Sequence, residues 1–258
     1  MPDIGNYTAG TQLVLVETGK YFALLLFCVL AIRLWRRWAK IPAARNAGGL
    51  LTAGAATVMV GVIGCVAMRH SLGSLYSYYG MQAFREQRLP QARLLFETAV
   101  RNWRNANTLG QQGVCLLLLG EADRGLALIA QARALRNGRG APFEDFYEGL
   151  YLFNQGDVRA AIPLLQASST DDTYRWSVTK LFTVMALDEN HVAEAAERMK
   201  PFREAEVTEF DQAYIVASLE LADGNQPGAR ALLEKFSRAG LSPRWQARFE
   251  KLRGQLRD

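Results

Sequence analysis

Residues 76–99 read YSYYGMQAFREQRLPQARLLFETA, and their small residues are spaced in a way that decides the fold. Gly80 stands twelve positions before Ala92, and Phe96 and Ala99 follow Ala92 at four and seven. That pattern puts a small residue midway along one helix. It also sets a small–large–small stripe on one face of the next. The frame returns four times: as Gly113, Gly125, Ile129 and Ala132; as Gly149, Ala161, Leu165 and Ser168; and more sparsely as Ala195 with Met199 and Ala229 with Leu233. Taking Ala92, Gly125, Ala161, Ala195 and Ala229 as equivalent, the spacings are 33, 36, 34 and 34. Between the two halves of each later copy lie LLLGEAD, LFNQGDV, ALDENHV and LADGNQP, where Gly or Asn can end a helix.

This period and frame resemble the tetratricopeptide repeat (TPR) family, whose unit is a helix–turn–helix of 34 residues. The resemblance covers roughly residues 73–243 and is weaker in the last two copies, where Thr183 and Ala217 replace the mid-helix glycine. It implies an all-α fold of about five stacked hairpins forming a superhelix with a concave groove, a binding architecture. It also implies that the groove is lined from the first helix of each pair. On this chain those places include Phe84, Val114, Phe143, Phe146, Leu150, Phe153, Val184 and Tyr214. They are mostly apolar, unlike the Lys, Arg and Asn set with which some members hold a peptide carboxylate. Such a groove suits an amphipathic helix or an extended apolar peptide, or is filled by the array's own side chains. Beyond the repeats, Trp245, Phe249, Leu252 and Leu256 share one helical stripe, as expected of a capping helix or of a helix that binds a partner.

The N-terminal quarter reads differently. Ala47 to Met68 carries no charge over 22 residues, about 33 Å as a helix, against roughly 30 Å of bilayer hydrocarbon. A second candidate span covers residues 13–35, with Glu17 and Lys20 one turn apart near its start. Two spans fit better than a cleaved signal peptide, because no Lys or Arg precedes position 20. The expected organisation is a transmembrane hairpin over 1–70, with spans at about 13–35 and 47–68 around a basic loop at 36–46, and then a repeat domain over 71–258. Arg33, Arg36, Arg37, Lys40 and Arg45 crowd the connection, with Trp35 and Trp38 among them. The positive-inside rule places that loop in the cytoplasm and the repeats on the opposite, periplasmic side of a bacterial inner membrane. Gly49, Ala53, Thr57, Gly61 and Cys65 recur every four residues along the second span. That ridge of small residues either docks an integral membrane partner or packs on the first span.

Charge and chemistry narrow the function. The net charge of +5 belongs to residues 1–69; residues 70–258 carry 23 basic and 23 acidic side chains. Within them the sign changes from +5 over 70–139 to −10 over 140–223 and +5 over 224–258. A basic stripe on a folded domain, as nucleic acid would need, is absent from this pattern, while the basic first repeats suit anionic lipid headgroups. Three cysteines and two histidines show no metal-ligand spacing, and no phosphate-binding glycine loop or catalytic constellation is present. No enzyme, cofactor or metal site is expected. The sequence points to a membrane-anchored scaffold that binds other proteins, within an envelope, exopolysaccharide or secretion assembly. The alternative is a membrane-tethered chaperone that holds apolar client segments in its groove.

Overall fold

The computed structural model describes residues 47–200, 206–236 and 241–256, together with Cys28, Val29, Ile32, Arg33 and Arg36 on helical backbone. Among the described residues the regular structure is all helix, with no strand. Eleven helices are delimited among them: α1 Ala47–Arg85, α2 Leu89–Asn102, α3 Ala106–Leu118, α4 Ala122–Leu135, α5 Pro142–Gln155, α6 Val158–Ser168, α7 Asp172–Asp188, α8 Val192–Met199, α9 Phe210–Ala222, α10 Gln226–Lys235 and α11 Pro243–Arg253.

One turn closes each of the five helix pairs, and it recurs after α4, where Asn137 has φ 56° and the same two bonds run from Asn137 to Ala134 and from Gly138 to Arg133. Gln87, Gly120, Gly156, Asn190 and Gly224 all adopt positive φ, between 59° and 92°. In each case the residue's N–H bonds the carbonyl three residues back, and the next N–H bonds the carbonyl five residues before it. For Gly156 and Asp157 the acceptors are Phe153 and Leu152, at 3.1 and 3.0 Å. This double bond closes the C-terminus of the first helix in a left-handed cap and leaves the following residue to start the second. Glycine adopts that conformation without a Cβ clash, and Asn190 tolerates it; Gln87 adopts it without either advantage. Local caps add to the signal: Asn105 and Thr108 form a reciprocal capping box, and Asp157, Asp171 and Asn225 accept from the first turns of α6, α7 and α10.

The chain divides into two compact units, Met1–Arg139 and Gly140–Asp258. In the first, α1 packs on α2, α3 on α4, and α3 also meets α1 and α2. The pairing rests on the small residues of the frame. A Cβ added at Gly113 would lie 2.8 Å from the carbonyl oxygen of Gly125, and one at Gly80 would overlap the Phe96 ring. The second unit pairs α5 with α6, α7 with α8 and α9 with α10. Gly149 meets Leu165 and Ala161 across the first of these pairs. Ala161, Leu165, Ala195, Met199, Ala229 and Leu233, the frame residues of the second helices, are all buried in one core.

The boundary expected near residue 70 falls inside α1, which runs unbroken for 39 residues. Over Gly54–Arg85 this helix is long and apolar enough to cross a membrane, and only 6% of its most apolar window is buried. Val58, Met59, Val62 and Ile63 each expose more than half their surface, at 67, 64, 57 and 56%. A core helix of a water-soluble domain would cover such residues. The first span expected at 13–35 lies mostly outside the described residues.

Candidate functional site

The groove residues expected from the resemblance are for the most part interior. Phe84, Val114, Phe146, Phe153, Val184 and Tyr214 are buried, while Phe143 and Leu150 are half-buried. In the second unit they are brought together in part. Phe146 stacks on Tyr174 of the neighbouring helix, ring centres 4.8 Å apart, and Phe143 packs edge-on against Tyr147 at 5.1 Å. Phe153 and Tyr214 lie under α11 instead, so the C-terminal helix is seated on the residues that the sequence assigns to a ligand.

That seat joins aromatic packing to a buried ion pair. Trp245, Arg248, Phe249 and Leu252 form the buried face of α11, at the i, i+3, i+4, i+7 spacing of one helix face. Trp245 meets Phe210 edge-on at 4.9 Å and Tyr214 at 5.8 Å, and Phe249 lies 6.0 Å from Tyr214. Arg248 reaches Asp188, at the last turn of α7 and 60 residues away. Its Nε donates to both carboxylate oxygens at 3.0 and 3.2 Å, and Nη2 donates to Oδ2 at 2.5 Å. Its guanidinium sits between two rings, 4.6 Å from Trp245 and 5.1 Å from Phe153. Arg244 takes the same Phe153 ring at 4.9 Å and donates through Nη1 to the Phe153 carbonyl oxygen. α11 therefore touches α5, α7, α9 and α10, where a simple cap would cover only the last pair.

The electrostatics of the seat are uneven. Arg248 is 6% exposed and its Nη1 is buried without an acceptor. A buried cation left partly unsatisfied is costly in low dielectric. Burial, and then the charge of Arg248, push Arg244 below the ordinary guanidinium range. Burial, and then the carboxylate of Asp188 at 3.5 Å from its hydroxyl, raise the Tyr214 phenol to about 12. Beside α11 opens a cleft of about 360 Å³, lined among others by Asn190, Tyr214, Ser218, Gln226 and Lys251.

A second buried cation lies in the same unit. Lys180 of α7, 4% exposed, bonds Glu209 and sits 2.9 Å from Asp211. Burial works against its charge, but the two carboxylates outweigh it and hold the ammonium above its ordinary range. The pair clamps the start of α9 to the middle of α7, which is a structural role.

Arg248 and Arg244 were not singled out by sequence, while Lys180 stands at a first-helix place that the resemblance gives to the groove. Asp188 reads as an ordinary helix-end acid beside Glu189, and α11 reads as an amphipathic stripe with Arg248 merely inside it. The remaining sequence-assigned residues are more scattered. Arg33 and Arg36 are exposed on helical backbone; Arg37, Lys40 and Arg45 lie outside the described residues. Of the small-residue ridge, Thr57, Gly61 and Cys65 are exposed, and a Cβ at Gly61 would meet nothing within 4 Å. Gly49 and Ala53 belong to the same helix, but their side chains lie outside the described residues.

Among the described residues no three His, Cys, Asp or Glu side chains are grouped so as to hold a metal ion. Cys115 is fully buried, and burial raises its thiol to about 11, which keeps it protonated and unreactive. No protein-family model and no curated protein matches the chain.

Proposed function

We propose that the chain is a non-catalytic scaffold or adaptor of the tetratricopeptide type, anchored in a bacterial inner membrane by an N-terminal helical hairpin. Its repeats stand on the periplasmic side and bind other protein subunits of an envelope, exopolysaccharide or secretion assembly. The observation that carries this reading is α1. It leaves a long apolar stretch uncovered and continues without a break into the first of five hairpins closed by the same turn. An apolar helix of this exposure calls for lipid or another membrane helix around it. The small-residue ridge of α1 gives a first span or a membrane partner room for close approach. Hairpin repeats that share a core offer an extended surface for proteins and no reaction of their own.

The chaperone reading needs an open apolar groove for many clients. Six of the eight expected groove residues are instead buried, which supports a scaffold with defined partners. Affinity purification of the full chain in mild detergent tests the proposal: one or a few proteins in stoichiometric yield are expected. Quantitative release of the protein from membranes by alkaline carbonate, or a broad mixture of unfolded clients, would overturn it.

A further inference from the structure

We propose that α11 is an exchangeable occupant of the second unit's binding face, and that a basic amphipathic helix of a partner replaces it there. The partner helix would carry an aromatic residue, an arginine three positions later and a second aromatic next to that arginine. The inference rests on the scaffold reading and names what the scaffold would bind.

Phe153 and Tyr214 come from the first helices of two different pairs, and Asp188 from that of a third, yet α11 covers all of them. A helix lying across successive first helices occupies the place of a ligand. Residues 140–223 carry sixteen acids against six bases, and α11 brings Arg244, Arg248, Lys251 and Arg253 against Glu250 alone. On the face itself the carboxylate of Asp188 meets α11 and selects an arginine there, whichever chain supplies it.

α11 also fits its seat imperfectly. Two guanidiniums share the Phe153 ring, at 4.9 and 5.1 Å, and repel each other there. Arg248 Nη1 is buried and has no acceptor. A partner helix with no cation four positions before its arginine would remove the repulsion at the Phe153 ring. α11 is also only eleven residues long, too short to persist as a helix once released. It holds its place because covalent attachment gives it a high effective concentration, about millimolar for a short tether. A partner must overcome that advantage, so α11 sets a threshold for binding.

The test uses the full chain in detergent and a fluorescein-labelled peptide of residues 241–256. Arg248→Glu in the chain weakens its own α11 and leaves the receiving face intact. Peptide capture is then expected to tighten at least tenfold relative to wild type. Asp188→Asn added to that chain should lose most of the gain, and a peptide carrying Arg248→Glu should not be captured. Equal, negligible capture by wild type and by a folded Arg248→Glu chain would overturn the proposal. So would undiminished capture after Asp188→Asn. A wild-type dimer that exchanges α11 between copies would overturn the partner reading in favour of self-association. If Arg248→Glu does not fold, hydrogen exchange on the wild type decides. Amides of α11 exchanging at least tenfold faster than those of α9 support exchangeability, and equal protection overturns it. Failure here leaves the scaffold reading to its own co-purification test.

Discussion

Gly125→Ala probes the geometry on which the hairpins depend. The new methyl would sit 2.7 Å from the Gly113 carbonyl oxygen, 2.8 Å from the Leu117 nitrogen and 3.2 Å from the Leu117 Cα. All three are backbone atoms, so no side chain can swing aside. α3 and α4 must separate by roughly half an ångström or more to restore ordinary contact, and a gap of that size forfeits a quarter to a half of each lost dispersion contact. Overpacking of this kind costs about 1–3 kcal/mol, and the upper end applies because the obstruction is main chain on both sides. Alanine's better helix propensity returns about 1 kcal/mol, leaving a net loss of about 2 kcal/mol. For a unit of this size that lowers the melting midpoint by roughly 6–10 °C. Cys115, buried in α3, supplies a local assay, because unfolding of the first unit exposes its thiol to alkylation. With Cys28 and Cys65 replaced by Ser, the labelling midpoint on heating should fall by that amount. Gly61→Ala, where the methyl meets nothing within 4 Å, is the control and should shift it little. A Gly125→Ala midpoint equal to the parent's, or higher, would refute the close-approach account of the repeat frame.

Four further outcomes are expected. Phe146→Ala should cost about 3–5 kcal/mol by opening a cavity, as for a buried aromatic. Half-buried Phe143→Ala should cost clearly less; urea unfolding followed by circular dichroism checks both. Arg248→Met should destabilise the second unit by about 2 kcal/mol. That is below the value for a fully buried pair because the Asp188 side chain keeps 33% of its exposure, and a double-mutant cycle with Asp188→Asn isolates the pair. The folded state holds Tyr214 protonated up to about 12, against 10.0 for an ordinary phenol. Its contribution is therefore complete below about pH 10 and lost as pH rises toward 12, and Tyr214→Phe should flatten the decline of melting temperature across that window. Finally, a reporter active only outside the cytoplasm, fused after Asp258, should be active, and replacing Arg33, Arg36, Arg37, Lys40 and Arg45 together should scramble that result.

Helix pairing was legible because it depends on frame contacts only twelve to sixteen residues apart, such as Gly113 with Gly125 and Gly149 with Leu165. Gly113 and Gly125 announce a close approach, and Gly120, Gly156, Asn190 and Gly224 announce left-handed turns. Gln87 could not be read this way, since its backbone follows the repeat geometry and not its own preference. The unit boundary at Arg139–Gly140 was equally silent, because Asn137 and Gly138 resemble every other turn punctuation along the chain. The groove residues were legible as positions on first helices, but periodicity cannot say whether such a face is open or covered. That depends on α11, whose partners Phe153 and Asp188 lie 91 and 60 residues away. A bidentate Arg–Asp pair across such a distance leaves no local trace. Each of its members had an adequate local explanation: Asp188 as a helix-end acid, Arg248 as one charge on an amphipathic stripe.

The join between apolar helix and first hairpin bears most directly on how a scaffold of this kind would work. The uncharged run ends at Met68, and contacts with α2 and the residues just after it begin at the next position. Arg69 Nη2 donates to the Arg101 carbonyl oxygen at 2.8 Å, and His70 meets Trp103 edge-on at 4.8 Å. One turn further, Gly73 lies so close to the Trp103 side chain that a Cβ there would fall 2.4 Å from the tryptophan's own. No residues are left over for a linker. At about 1.5 Å per residue, some 33 Å of α1 precede the join and about 25 Å follow it as the first helix of the hairpin. Each residue of a helix turns the chain by about 100°, so the rotation of the apolar stretch fixes which way the first hairpin points. A flexible tether would let a partner approach from any side. A continuous helix instead fixes the hairpin's facing, and a subunit held in the same membrane would meet one defined side of it.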